Sequence, residues 1–373
     1  MDMTRRTFLK GTASLGLASL FACSNETSKE PPNPPSGTSR VVSIHDNLVT
    51  NWNGSSLWFG SNTYVSQEAV DNMVKKGVMS LTGQSAELDA WTSLLPSVSG
   101  TTKIGIKVNA NNTELGPTNN DIDWTPQVVN AVIKGLKIRG FLEPNIYIMD
   151  PSRGRTTAYC GLVTALYPDV KFYGAGWQDA PYLAATYSSA DSSLTIAHPC
   201  GAPSSKYPDQ FLDLDYQIQM PIMKVHGFGV TLTYKNLLGY KADGSILPLH
   251  NYLMLASGNP LVDLYATTHI KDKTKLIIGD GIYGHSLRNY GGLPSPRWSV
   301  LGNDWPKRLF FAKDPVAIDC VMYDFLDWQN PRTADDENYI VCAANAKQGT
   351  RDHWNNSTEK KYSLIDFIQQ ESG

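Results

Sequence analysis

Apolar and polar positions alternate along this chain in two rhythms. Lys103-Ile-Gly-Ile-Lys-Val108, Asn145-Ile-Tyr-Ile-Met149, Tyr216 to Val225, Lys275-Leu-Ile-Ile-Gly279 and Arg308-Leu-Phe-Phe311 are short apolar runs with the composition of buried strands. Between them the spacing becomes helical. Thr125-Pro126 supplies a cap followed by proline at the first helical position, Val128, Val129, Val132, Ile133 and Leu136 recur on one face, and Gly140 closes the segment. Gln67 to Lys76 has the same rhythm, and Asp314-Pro315 opens a further helix to about Trp328. Strand, helix and strand in succession predict an α/β fold with a largely parallel sheet flanked by helices. No internal repeat interrupts this order.

Polar residues fall at the ends of these runs. The first carries Lys107 and Asn109, the second stops at Asp150, the third at Lys224 and His226, and the fourth at Asp280. Ligands of open α/β sheets bind outside the carboxyl ends of the strands, so these residues predict a ligand cleft on that edge. The densest stretch is Pro221 to Gly239. Lys224 and His226 stand two apart, hence on one face of a strand, and Gly227 and Gly229 permit a sharp turn. Thr231, Lys235 and Asn236 follow on a segment whose pattern fits helix and strand equally. Two lysines, a histidine and an asparagine crowded between apolar runs suit an anionic or metal-bound ligand; a solvated strand end and loop is the plainer alternative.

Several of these blocks, in this order, resemble the domain-of-unknown-function 362 (DUF362) family: Lys107-Val-Asn109, Lys224-Val-His226, Thr231 through Lys235-Asn236-Leu-Leu-Gly239, Asp280-Gly-Ile-Tyr-Gly284 and Asp314-Pro-Val-Ala-Ile-Asp319. The resemblance spans about Val41 to Trp328 and implies no settled reaction. It also matches His250 to a histidine position of family members. Some members are joined to iron–sulfur ferredoxin modules. This chain has no Cys-x-x-Cys, and Cys160, Cys200, Cys320 and Cys342 lie too far apart for such a cluster, so no iron–sulfur cluster is expected.

Composition adds limits. The formal charge is −3 and no basic run with interleaved aromatics follows the N-terminus, which argues against a nucleic-acid partner. Charged residues make up 18%, below the usual ~25%, and 41% are hydrophobic, enough for a sizeable core. Residues 1–22 read as an address: Thr4-Arg5-Arg6-Thr7-Phe8-Leu9-Lys10 has twin-arginine form, and the weakly apolar Gly11 to Ala22 is too short to span a bilayer. Leu20-Phe-Ala-Cys23 resembles a lipoprotein processing site that would leave Cys23 lipidated, and several acyl chains on one residue anchor stably. Ser24 in place of Asp points to the outer membrane. The expected partners are therefore the twin-arginine export machinery, the bilayer through Cys23 and a small anionic molecule, with the chain held on the periplasmic side of a bacterial envelope. Residues 23–40 form a polar, proline-rich tether, and the folded body is expected over 41–373. The four body cysteines allow three pairings, of which Cys160 with Cys200 and Cys320 with Cys342 are the simplest; four buried thiols is the alternative.

Other signals lead nowhere. Gly279-Asp-Gly281-Ile-Tyr-Gly284 fits the dinucleotide pattern, but His285-Ser-Leu-Arg-Asn-Tyr-Gly-Gly-Leu-Pro opens no helix for a phosphate to sit on. No nucleophile elbow, zincin motif or phosphate-binding loop occurs. His250 and then His285 follow His226 as site histidines, whereas His45, His198, His269 and His353 read as structural. Asp319 lies inside an apolar helix and requires a partner there, expected to be Lys224 or Lys235. Three function classes remain: an enzyme in which Lys107, Lys224 and Lys235 bind negative charge while His226 or His250 moves a proton and Asp280 and Asp319 tune them; a metal-assisted variant with His226, His250 and Asp280 as ligands of a divalent ion; and a lipid-anchored binding or accessory protein of an exported redox system. In the first class Lys224, His226, Lys235, His250 and Asp280 carry the chemistry, and Lys107, Asn109, Asp150, Asn236 and Asp319 hold the substrate.

Overall fold

The computed structural model describes residues 38–54, 64–110, 122–153, 157–175, 181–188, 191–240, 247–287, 297–355 and 358–373. The signal segment, Cys23 and nearly all of the tether lie outside them. The first strand, β1 (Ser39–His45), starts two residues ahead of the expected body. Among the described residues an 11-stranded sheet runs through the molecule. Its parallel part joins β2 (Ile104–Lys107), β3 (Ile146–Asp150), β4 (Lys171–Gly174) and β5 (Tyr182–Ala184). The small hairpin β6 (Thr195–Ile196) and β7 (Ser205–Lys206) stands apart. On the other side of β2, β8 (Tyr216–Gln219) and then β11 (Thr274–His285) continue in parallel. Beyond β11 the sheet turns antiparallel through β12 (Arg308–Ala312) to β1, and β13 (Ile365–Glu371) closes that edge.

The predicted single strand from Tyr216 to Val225 is two strands. Met220 and Pro221 interrupt it, because proline has no N–H for the ladder. β8 pairs with the first part of β11, while β9 (Ile222–His226) pairs with its second part and with β10 (Gly229–Thr231). The Pro221 carbonyl accepts from Asp280 N at 2.8 Å, so the break is bonded into the sheet.

Alternation along the strands fills two cores. Ile146 and Ile148 face one and Tyr147 and Met149 the other; Leu309 and Phe311 divide from Phe310 and Ala312 in the same way. The first face is covered by the helices Gln67–Thr82, Glu87–Leu94 and Pro126–Arg139, the second by Pro315–Gln329 and Asn338–Asn345. In Pro126–Arg139 the valines at 128, 129 and 132 are fully buried, each such side chain contributing roughly 1.5–3 kcal/mol, and Gly140 ends the helix at φ 103°. Asp314 caps the helix Pro315–Gln329 through Val316 N and Ala317 N. Thr125 departs from expectation: its hydroxyl makes no capping bond and instead donates to Asp280. No disulfide joins any of Cys160, Cys200, Cys320 and Cys342, so neither expected pairing forms. Among the described residues no helix is long and apolar enough to cross a membrane.

Candidate functional site

The carboxyl ends of β2, β3 and β9 open onto one cleft of about 50 Å³, walled by Lys107, Asn109, Asp150, Ser152, Arg153, Lys224, His226, Thr231, Lys235, Asn236, Leu238, Gly239 and His250. Eight of the ten residues expected at the site meet there. Asp280 and Asp319 do not.

At the floor three oxygens surround the Lys107 ammonium: Val108 O at 2.5 Å, Asn236 Oδ1 at 3.3 Å and, as an ion pair, Asp150 Oδ1 at 3.3 Å. Asn236 returns a bond from Nδ2 to Lys107 O, and the Lys107 ammonium lies 5.3 Å from the Tyr240 ring centroid. Asp150 also accepts from Ala110 N at 2.7 Å, fixing the chain that leaves β2. Gly239 passes directly over this pair, where a Cβ would overlap both Asp150 and Lys107. Burial pulls the Lys107 amine down and Asp150 opposes that pull.

The second wall is the β9–β10 hairpin. Its register sets Lys224 opposite Thr231 and His226 opposite Gly229, where the backbone turns at φ 82° with Asp336 O too close for any side chain. Lys224 donates to Asn109 Oδ1 and Ile122 O, both at 3.2 Å. The segment left open by the sequence pattern becomes β10 followed by one helical turn, Thr233–Asn236, which brings Lys235 and Asn236 in. Lys235 is 6% exposed and donates to Phe228 O at 3.3 Å. Its amine is held well below the ordinary lysine range by burial and by the Lys224 charge.

His226 and His250 face one another with ring centroids 5.8 Å apart, Phe228 lying against both. His226 Nδ1 accepts from Phe228 N at 3.1 Å, which places the proton of the neutral ring on Nε2. Burial first, then Lys235, His250 and Lys224, lower its pKa to about 3. His226 is thus a neutral hydrogen-bond donor. Four basic side chains, Lys107, Lys224, Lys235 and Arg153, line the cleft, and Asp150 is the one carboxylate among the described residues that line it.

Asp280 misses the cleft because β11 runs five residues past it. It sits inside the sheet, accepting from Thr125 Oγ1 at 2.6 Å and Ile282 N at 3.0 Å, with its pKa raised to about 6 by burial. His285, at the end of β11 and in register with Lys224, has its pKa lowered to about 4 by burial and by Lys224. Asp319 has neither expected lysine. It accepts from Thr233 N at 2.9 Å, Tyr234 N at 3.3 Å and the Tyr339 hydroxyl at 3.3 Å, with its pKa raised to about 7 by burial. A carboxylate there pins the helical turn that carries Lys235 and Asn236, a partner that sequence alone does not name. The ligand trio His226, His250 and Asp280 is not assembled, and among the described residues no group of three His, Cys, Asp or Glu converges as a metal set.

Ser152 and Arg153 were not anticipated, although both follow Asp150 in the turn beyond a strand's carboxyl end, the position that selected Asp150. The remaining histidines are engaged elsewhere: His45 with Glu371, His198 with Asp263 and Ser205, His269 with Ser193, and His353 with Asp324 and Glu337.

With this geometry in place, comparison with known proteins gives two findings. Residues 104–324, more than half of the chain, match the family described as domain of unknown function (DUF362). A solved structure, the lactate racemase apoprotein from Thermoanaerobacterium thermosaccharolyticum, matches with 14% identity and a TM-score of 0.32 over 66% of this chain and 52% of that one, so the chain spans about half its length. No curated protein matches.

Proposed function

Starting from the premise that this chain belongs to the DUF362 family, we propose that it is an envelope enzyme whose cleft binds a small anionic molecule and exchanges a proton with it. One observation carries the reading: four basic side chains line a small cleft in which, among the described residues, Asp150 is the one carboxylate, itself engaged with Lys107. Basic groups crowded together out of water are costly, as the burial of Lys235 beside the Lys224 charge shows, and a bound anion offsets that cost. Lys235, whose amine burial and Lys224 drive toward the neutral form, is the proton acceptor. His226, neutral with its proton on Nε2, is the donor to an oxygen that gains charge, since a neutral imidazole can polarise a substrate where an imidazolium would have given up its proton. Asn109, Asn236 and Asp150 hold the lysines in place.

Ligand-detected NMR with a panel of small carboxylates and phosphate esters tests this. At least one anion binds the wild-type chain, its neutral analogue does not, and Lys224→Met with Lys235→Met abolishes the signal. An anion that binds the double variant as well as the wild type sinks the reading. The twin-arginine form at Thr4 to Lys10 and the Leu20 to Cys23 block support export and lipid anchoring through Cys23, the outer membrane being the proposed destination. Labelled palmitate incorporated by cells making the wild-type chain, and lost in Cys23→Ser, is the expected result.

A further inference from the structure

The walls of the cleft differ in how many of their donors are already used. An ammonium has three N–H groups. At Lys107, Val108 O, Asn236 Oδ1 and Asp150 Oδ1 surround the nitrogen, so the group is enclosed by its own protein. Lys235 has one hydrogen bond among the described residues, to Phe228 O. Thr231 is 4% exposed, and its Oγ1 is buried without a hydrogen-bond partner although it lines the cleft. The β9–β10 register places Thr231 directly opposite Lys224, and residues opposite one another in an antiparallel pair share a face. Ser152 Oγ, in the turn after β3, is likewise buried and without a partner, and it lines the same cleft.

Buried hydroxyls in native proteins are nearly always bonded, and one that is not and that borders a binding cleft points to a ligand atom as its partner. A valine in place of Thr231 would fill the same space, so packing gives no reason for a hydroxyl at a position walled by β9 and β10. We propose that Thr231 is a specificity-determining residue: its hydroxyl donates to an oxyanion of the ligand alongside the Lys235 ammonium, with Ser152 bonding the opposite end, while Lys107 makes no bond to the ligand. The ligand class is a small oxyanion, a phosphate or a short dicarboxylate, able to accept from the hydroxyl and the ammonium at once. This rests on the reading of the cleft as an anion site.

Calorimetric titration of the full chain with inorganic phosphate, and separately with malonate, tests it. Wild type is expected to bind one of the two, and which one tells tetrahedral from planar oxyanions. Thr231→Val, isosteric with threonine, weakens that binding roughly 10- to 100-fold, the loss expected for a buried bond to a charged acceptor. Thr231→Ser keeps it within a few-fold, and both variants melt within a few degrees of wild type. Wild-type affinity in a folded Thr231→Val overturns this assignment and leaves the anion site standing. Equal weakening in Thr231→Val and in Thr231→Ser, which keeps the hydroxyl, means that the loss does not follow the hydroxyl and also overturns it. Binding of neither anion by wild type removes both the assignment and the anion site beneath it.

Discussion

His226 and His353 are two histidines largely withdrawn from water that end in opposite charge states. His226 stands in the cleft among Lys224, Lys235 and His250, and its pKa is lowered to about 3. His353 stands between Asp324, at 2.6 Å from Nδ1, and Glu337, at 3.0 Å from Nε2. Burial pulls His353 down as well, but the two carboxylates overcome it and hold its pKa at about 9. Arg351 completes that cluster on Glu337, and Trp354 N donates to Asp324. The C-terminal cluster answers each charge with its opposite and ties residues 351–354 onto the body. The cleft gathers four basic side chains and, among the described residues that line it, one carboxylate. One arrangement is finished without a partner; the other is, on the function proposed above, completed by a ligand.

Breaking the Lys107–Asp150 pair within the cleft should have the largest effect. Lys107→Met strands Asp150 in a buried site and is expected to cost about 3–5 kcal/mol in urea unfolding. His353→Gln comes next, at about 1–3 kcal/mol near pH 6. Its pH dependence sharpens the contrast. Because the folded pKa is raised, the His353 contribution is fully present below about pH 6.5 and disappears as pH rises through about 9, so the difference in stability between wild type and His353→Gln should shrink across that window. The third effect has the opposite sign. Lys235→Met removes a buried amine that has no carboxylate partner among the described residues, and should raise the stability of the empty protein by about 1 kcal/mol while anion binding is lost. A fall in melting temperature would mean that Lys235 is answered after all. The smallest signal is a proton count. An anion beside Lys235 raises its lowered pKa, so binding near neutral pH should take up a fraction of a proton, read from the buffer dependence of the calorimetric enthalpy.

Much of this was legible in the chain. Helix boundaries at Thr125-Pro126, Gly140 and Asp314-Pro315 follow from local backbone rules, and those rules operate within a few residues. The convergence of Lys107, Asp150, Lys224 and His226 was legible because parallel strands present the same end to the same edge. What stayed hidden depended on pairing. Nothing local to Asp280 says that β11 continues to His285, since that length is set by β9 and β12 on either side. Two of the partners of Asp319 are main-chain N–H groups 85 and 86 residues away, which carry no signature in a residue pattern. The edge where β1 pairs antiparallel with β12 and parallel with β13 joins segments more than 260 residues apart, beyond the reach of any periodicity.

The passage of Gly239 across the Lys107–Asp150 pair has an outcome for variation at this position. The main chain there serves as a lid on the ion pair, close enough that even a methyl group would act as a wedge between them. The motif Lys235-Asn236-Leu-Leu-Gly239 is therefore a single mechanical unit: the helical turn supplies the cation and the amide, and its last residue must be the smallest one for the two to seat.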